Sequence, residues 1–127
     1  MRKLRASASL VLSAVVFAAA CRDPTAPNQV TVVNVPSVRS IVVTNRTSTS
    51  IFTMIIGVNA LPATDYILCV DPRRCDPLVP GASRELKYPA PYNGVAEKEA
   101  LVMWWHSFRG SDGTYRPVNS GQKVVPL

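Results

Sequence analysis

Three cysteines, one histidine and an adjacent pair of tryptophans are the side chains of this 127-residue sequence with the most chemistry to offer. Cys69 and Cys75 have five residues between them, with Pro72 inside the loop and Pro77 just beyond it. The loop is therefore stiff, and short enough to bring two thiols into bonding range at a strand end. A disulfide is the expected outcome. A redox-active dithiol calls for two intervening residues ahead of a helix. A zinc site calls for two more nitrogen or sulfur ligands, for which only His106 and Cys21 remain, and Cys21 has another use argued below. No serine or cysteine near His106 sits in a glycine-flanked nucleophile elbow, so a structural or surface histidine is expected and any triad would be assembled wholly by the fold. The carboxylates Asp65, Asp71, Asp76, Glu97, Glu99 and Asp112 are expected in loops or at strand edges, solvated. A glycosidase pair depends on spatial separation, which sequence alone does not supply.

Trp104 and Trp105 pose a geometric question. Consecutive strand residues point to opposite faces, so one indole enters the core and the other must lie outside it. There it is either covered by a loop, such as the cysteine loop or PAPYNG, or left open. An open indole beside Tyr92 or Tyr115 would make a flat aromatic platform for a sugar or a partner chain. Arg73 and Arg74 are expected on an exposed loop tip, solvated or facing an anionic partner or lipid headgroups. Asn45 to Thr47 matches a glycosylation acceptor pattern but reads as a turn.

These residues need a scaffold, and composition points to strands. Eleven prolines break helices, and frequent Val, Ile and Thr suit a pleated surface. Short apolar runs separated by turn residues recur from Val38 onward, the spacing of a small antiparallel sandwich, immunoglobulin-like or similar, with six to seven strands. Strands are expected at residues 38–45, at 51–58 as a central strand apolar on both faces, at 65–70 (DYILCV), at 83–88, at 99–109 and at the terminal QKVVP, an edge. NRTSTS and PAPYNG are turns, and GSDG before TYRPV is a hairpin tip. Residues 95–108 also contain good helix formers. As a helix, however, they would align Val95, Glu99, Val102 and His106, a poor apolar stripe, and strand is preferred.

The first twenty residues carry a cationic head, Met1 to Arg5, and an apolar run, Ala6 to Ala20, interrupted only by serines: the layout of an export signal. The run is shorter than the roughly 20 apolar residues that cross a bilayer. It ends in Ala18, Ala19, Ala20 and then Cys21. Here the sequence resembles a bacterial lipoprotein precursor, whose lipobox ends in a small residue followed by an acylated cysteine that becomes the mature N-terminus. The resemblance covers only this leader. Ala18 departs from the leucine or other aliphatic residue usual at the third position before the cysteine, and Ala18 with Ala20 also suits ordinary cleavage to a secreted soluble product. Lipidation of Cys21 leaves Cys69 and Cys75 as an even pair in an oxidising compartment.

The expected organisation is a signal peptide at 1–20, a lipidated proline-containing tether at 21–36 and a sandwich at 37–127, with VTVVNV (residues 30–35) readable either as tether or as first strand. Removing Arg2, Lys3 and Arg5 with the leader leaves eleven basic against eight acidic residues, a net of +3. They are scattered, and only Arg73 and Arg74 are adjacent, so no basic stripe follows a phosphate backbone and nucleic acid is not an expected partner. The reading is a non-catalytic envelope lipoprotein, held at a membrane by its lipid, presenting a sandwich to a protein or glycan partner and needing no cofactor or metal. Arg22, being no aspartate, lets it pass to an outer membrane under the sorting habit of enteric lipoproteins. The alternatives are a carbohydrate-binding module using an exposed tryptophan and a small hydrolase whose site emerges on folding.

Overall fold

The computed structural model describes residues 29–127; the segment 1–20 expected to be an export signal and Cys21 lie outside the described residues. Six strands form two three-stranded antiparallel sheets. They are β1 (Val30–Val35), β2 (Ser40–Asn45), β3 (Phe52–Gly57), β4 (Ser83–Lys87), β5 (Glu99–Arg109) and β6 (Tyr115–Pro126), ordered β1-β2-β4 in one sheet and β3-β5-β6 in the other. This is the small all-β fold that the turn spacing predicts. Of the two alternatives for residues 30–35, the strand is found: Val30 to Val35 pair with Asn45 to Ser40 along β2.

The core follows from period-2 alternation. Ile41 and Val43 of β2, fully buried, meet Ala100, Val102 and Trp104 of β5, with Val30 and Val32 of β1 on the same side. Residues 95–98 follow the 92–95 turn as irregular chain and 99–109 are strand throughout, so the helical alternative is not the one adopted. The turn at 92–95 shows why. Asn93 and Gly94 both take positive φ, 50° and 76°, the pair of angles a two-residue hairpin turn demands, and Tyr92 and Val95 exchange both backbone bonds across it. GSDG closes the β5–β6 hairpin, with Gly110 N–H bonded to the Thr114 carbonyl. YRPV and QKVVP belong to one twelve-residue strand, β6.

Two expected strands need correction. Residues 51–58 were expected in the centre of a sheet, yet β3 is an edge strand and β5 holds the centre. The outer face of β3 is apolar because it pairs Phe52 with Trp105 and Ile56 with Leu101, all four buried outside the main core. Residues 65–70 form no strand. They belong to the connection between β3 and β4, where side chains bond the backbone in place of a ladder: Trp105 Nε1 donates to the Cys69 carbonyl at 2.8 Å and the Ser107 hydroxyl donates to that of Val70. The strand-forming residues Tyr66 and Ile67 face water, Ile67 at 93% exposure, so local propensity yields here to the need for a cover.

Glu97 also departs from the expected solvated carboxylate, because it is buried. Its two oxygens accept the backbone N–H groups of Asn59 (3.0 Å) and Ala60 (3.2 Å) at the start of a 3₁₀ helix, Val58–Ala63. These donors have no partner inside the helix. Gly57 makes the room, since a Cβ there would stand 2.4 Å from the Glu97 carboxyl carbon. Glu97→Ala is expected to cost about 1–3 kcal/mol by orphaning two donors, and Gly57→Ala a similar amount by displacing the same carboxylate. The double variant should melt no lower than Glu97→Ala alone, because the steric conflict is then gone. Additive losses in thermal melts would contradict this coupling.

Candidate functional site

Where β5 runs into its hairpin, an open cleft of about 480 Å³ forms between that hairpin, the start of β3 and the disulfide loop. Its apolar lining is Phe52, Phe108, Tyr115 and Val118, with Pro72 and Pro77 from the loop; Thr49, Ser50, His106, Ser107 and Asn119 supply the polar atoms. No carboxylate is among these residues.

Each wall has a local cause. A bulge interrupts the β5–β6 ladder: Trp104 pairs with Gly121 and His106 with Val118, so Trp105 faces two residues, Asn119 and Ser120. Asn119 takes a φ of 50°, which asparagine tolerates better than most residues, and the strand bends where Val118 and Asn119 meet the cleft. The loop wall is pinned at both ends. Cys69 and Cys75 are joined by the expected disulfide, with their Cα atoms 6.2 Å apart. Beyond it, Arg84 of β4 bonds the Asp76 carbonyl (2.9 Å) and carboxylate (3.0 Å), and Ile51 and Leu78 exchange backbone bonds on the far side of Pro77.

The polar side is held by a fully buried asparagine. Asn45 Nδ2 donates to the carbonyls of Thr49 (2.8 Å) and Leu78 (2.9 Å), and Oδ1 accepts from the Thr47 N–H (2.9 Å) and lies 2.6 Å from the Thr47 hydroxyl. The glycosylation-like triplet is thus a side-chain-bonded turn, and its amide is closed to solvent. That turn delivers Thr49, whose hydroxyl lies 2.8 Å from His106 Nδ1. His106 is 5% exposed, and burial pushes its imidazole below the ordinary value despite a backbone hydrogen bond at Ser50 that acts the other way. The floor of the cleft is therefore a neutral imidazole at pH 7.

Two guanidinium groups flank the Tyr115 ring. Arg73 and Arg109 place their guanidinium carbons 5.9 and 5.8 Å from its ring centroid. Arg73 is committed to Asp71, donating to both carboxylate oxygens at 3.1 Å, and this pairing holds the Asp71 carboxyl below its usual range. Arg109 forms no ion pair among the described residues. Arg74, also exposed, lies 4.0 Å from Asp71.

Of the two alternatives for the outer indole, the one covered by the cysteine loop is found, and the open platform is not. Trp104 is 5% and Trp105 1% exposed, so neither presents a ring to solvent. Trp104 enters the core over Gly121, where a Cβ would fall 2.4 Å from the indole; Trp105 stacks on Phe52 at 6.2 Å and is covered by the backbone at Cys69. Of the two tyrosines expected beside an open indole, Tyr115 lines the cleft, whereas Tyr92 sits in the 92–95 turn. Phe108, Thr49 and Arg109 were not singled out by sequence, although Phe108 shares the strand parity of His106 and stands one turn from the hairpin tip. A second polar cluster, Ser40 with Glu85 and Lys87, offers no reactive hydroxyl, because Ser40 is fully buried. Among the described residues no group of three histidine, cysteine or acidic side chains could hold a metal, and no helix is long and apolar enough to cross a membrane. No protein-family model, curated protein or solved structure matches this chain.

Two measurements follow from this geometry. Cys69→Ser should lose about 2 kcal/mol by the chain-entropy estimate for so short a loop, lowering the melting temperature by about 10 °C under oxidising conditions; an unchanged melt would contradict the staple. For His106 the folded pKa is depressed, so below about pH 6.5 the unfolded chain takes up a proton that the folded chain resists, and stability falls as pH drops. Asp71, Glu85 and Asp112, all held low, lose their contributions only at more acid pH. Melts between pH 7 and 5.5 should therefore decline in the wild type and be flatter in His106→Gln. A rise in stability over that interval would reverse the assignment.

Proposed function

We propose that this protein is a lipid-anchored envelope protein that binds a ligand or partner at the cleft beside its disulfide loop, without performing chemistry on it. The observation that supports binding is the cleft itself: an apolar concavity of about 480 Å³ with Phe108 left 59% exposed at its edge and a few convergent polar groups. Anchorage rests on the lipobox-like leader. Two or three acyl chains, at about 0.8 kcal/mol per buried methylene, would hold the protein without a spanning helix. Cys21 stands nine residues before Val30, so a proline-containing tether at roughly 3.1 Å per residue would set the sandwich about 28 Å from the bilayer. An outer membrane fits Arg22 at the sorting position.

The glycan-binding alternative loses its proposed platform with both indoles covered and would have to rest on Tyr115 and Phe108. A second reading keeps one specific observation in its favour: Thr49 and His106 form a hydroxyl–imidazole pair of the kind a nucleophile and its base make. That pair has no carboxylate from the cleft to orient it, as an activated nucleophile requires, and binding is preferred.

Two experiments test the proposal. Metabolic labelling with a fatty acid should mark the wild type and not Cys21→Ala, and absence of label from both would defeat anchorage. For the cleft, the neutral dye N-phenyl-1-naphthylamine should gain fluorescence with the protein and bind several-fold more weakly to Phe108→Ser. Equal affinity for both proteins would move binding elsewhere.

A further inference from the structure

We propose that the cleft takes an extended peptide segment, added antiparallel to β5 beyond the start of β3, with apolar side chains on the Phe108 side and acidic ones on the Arg109 side. This rests on the reading of the cleft as the binding site and adds the class of its occupant. β5 runs on to Arg109, whereas its ladder with β3 ends at the Phe52–Trp105 pair, because Ile51 turns aside to exchange backbone bonds with Leu78. The direction of the backbone groups follows from the two ends of the β5–β6 hairpin. Leu127 N–H bonds the Lys98 carbonyl and Gly110 N–H bonds that of Thr114, so even-numbered residues of β5 face β6 and odd-numbered ones face β3. Ser107 and Arg109 therefore direct their N–H and C=O groups to the side that β3 has left, about 7 Å apart. Neither has a backbone partner there among the described residues, and groups at this spacing are complementary to another extended backbone.

The cleft lies along this open edge. Its lining takes His106 and Phe108 from one face of the hairpin, Ser107 and Tyr115 from the other, and Thr49 and Phe52 from the β3 side. A cleft that reaches both faces from the β3 side opens at the edge of β5, where an added strand would alternate its side chains between them. The two faces differ in chemistry. Phe108 presents apolar surface, and the cation beside it, Arg116, lies 3.8 Å from Asp112. Arg109, on the opposite face with Tyr115, has no acidic partner among the described residues. The outer edges elsewhere are guarded: β6 turns Pro117 and Pro126 outward, which removes two donors, and Lys123 Nζ bonds the Val32 carbonyl of β1 at 3.5 Å.

The test follows the fluorescence anisotropy of a fluorescein-labelled hexapeptide of alternating valine and glutamate, titrated with the purified full chain. In the antiparallel register its glutamates stand opposite Ser107 and Arg109 and carry the amides that bond β5, while the valine amides point away. N-methylation of the glutamate amides is expected to weaken binding about tenfold through the lost donors, and N-methylation of the valine amides to leave it unchanged. Arg109→Gln should weaken the peptide about threefold, the scale of a cross-strand charge pair, leave an alternating valine–glutamine peptide unaffected, and melt as the wild type does. Phe108→Ser should weaken both peptides as well as N-phenyl-1-naphthylamine. Equal effects of the two methylations, or loss on the valine set alone, would overturn strand addition; the cleft reading stands without it if the dye still depends on Phe108. If Phe108→Ser alters neither dye nor peptide, the cleft reading fails as well. Unchanged affinity of the glutamate peptide for Arg109→Gln, or a large drop in the melting of that variant, would overturn the role of Arg109 as a ligand contact.

Discussion

The hydrogen bond from the Trp105 indole to the Cys69 carbonyl is the constraint on which the functional end of this protein depends. The sheet of β3, β5 and β6 is apolar on both faces, so packing against β1, β2 and β4 covers only one of them. Phe52, Trp105, Ile56 and Leu101 remain on the other, and leaving them in water would forgo roughly 1.5–3 kcal/mol for each large side chain. The connection between β3 and β4 supplies cover at the Trp105 end. A connection without a strand partner must satisfy its own carbonyls, and Trp105 and Ser107 do so at Cys69 and Val70. With those two residues held, the disulfide loop can project only toward the end of β5, and Pro72 and Pro77 become a wall.

The interior polar groups follow the same logic. Asn45 and Glu97 are sequestered from water but spend their capacity on backbone groups that regular pairing leaves over. Each fixes a local chain path: Asn45 the turn that carries Thr49 to His106, Glu97 the first turn of the helix after β3. Trp104 Nε1 and Thr53 Oγ1, register neighbours across β3 and β5, have no hydrogen-bond partner among the described residues. Their desolvation is set against burial of the whole indole, for which Gly121 opens the space.

Binding at this end of the molecule suits the mechanics of a small sandwich. The strands are rigid and their side chains are committed to packing, while the hairpin tip, the 45–50 turn and the stapled loop meet beyond them.

Much of the architecture was legible because it is local. The alternation in residues 99–109, the Asn93–Gly94 turn, the GSDG tip and the spacing of Cys69 and Cys75 each specify a short piece of backbone through neighbours a few residues away. The lipobox-like pattern ending at Cys21 is local too, and the reading drawn from it uses no fold. What the tertiary structure alone decided concerns partners distant in sequence. DYILCV has the composition of a strand and becomes a cover, because the donors for its carbonyls sit on β5, some 36 residues on. Glu97 looks like a surface charge and is buried, because two unpaired N–H groups lie 37 and 38 residues before it. Both tryptophans are covered, because the connection that carries the cysteine loop lies against the second face of the sheet; alternation along β5 left open whether it would. The cleft is in the same class: its walls come from four separated segments, and their meeting is a property of packing, which no single stretch of chain encodes.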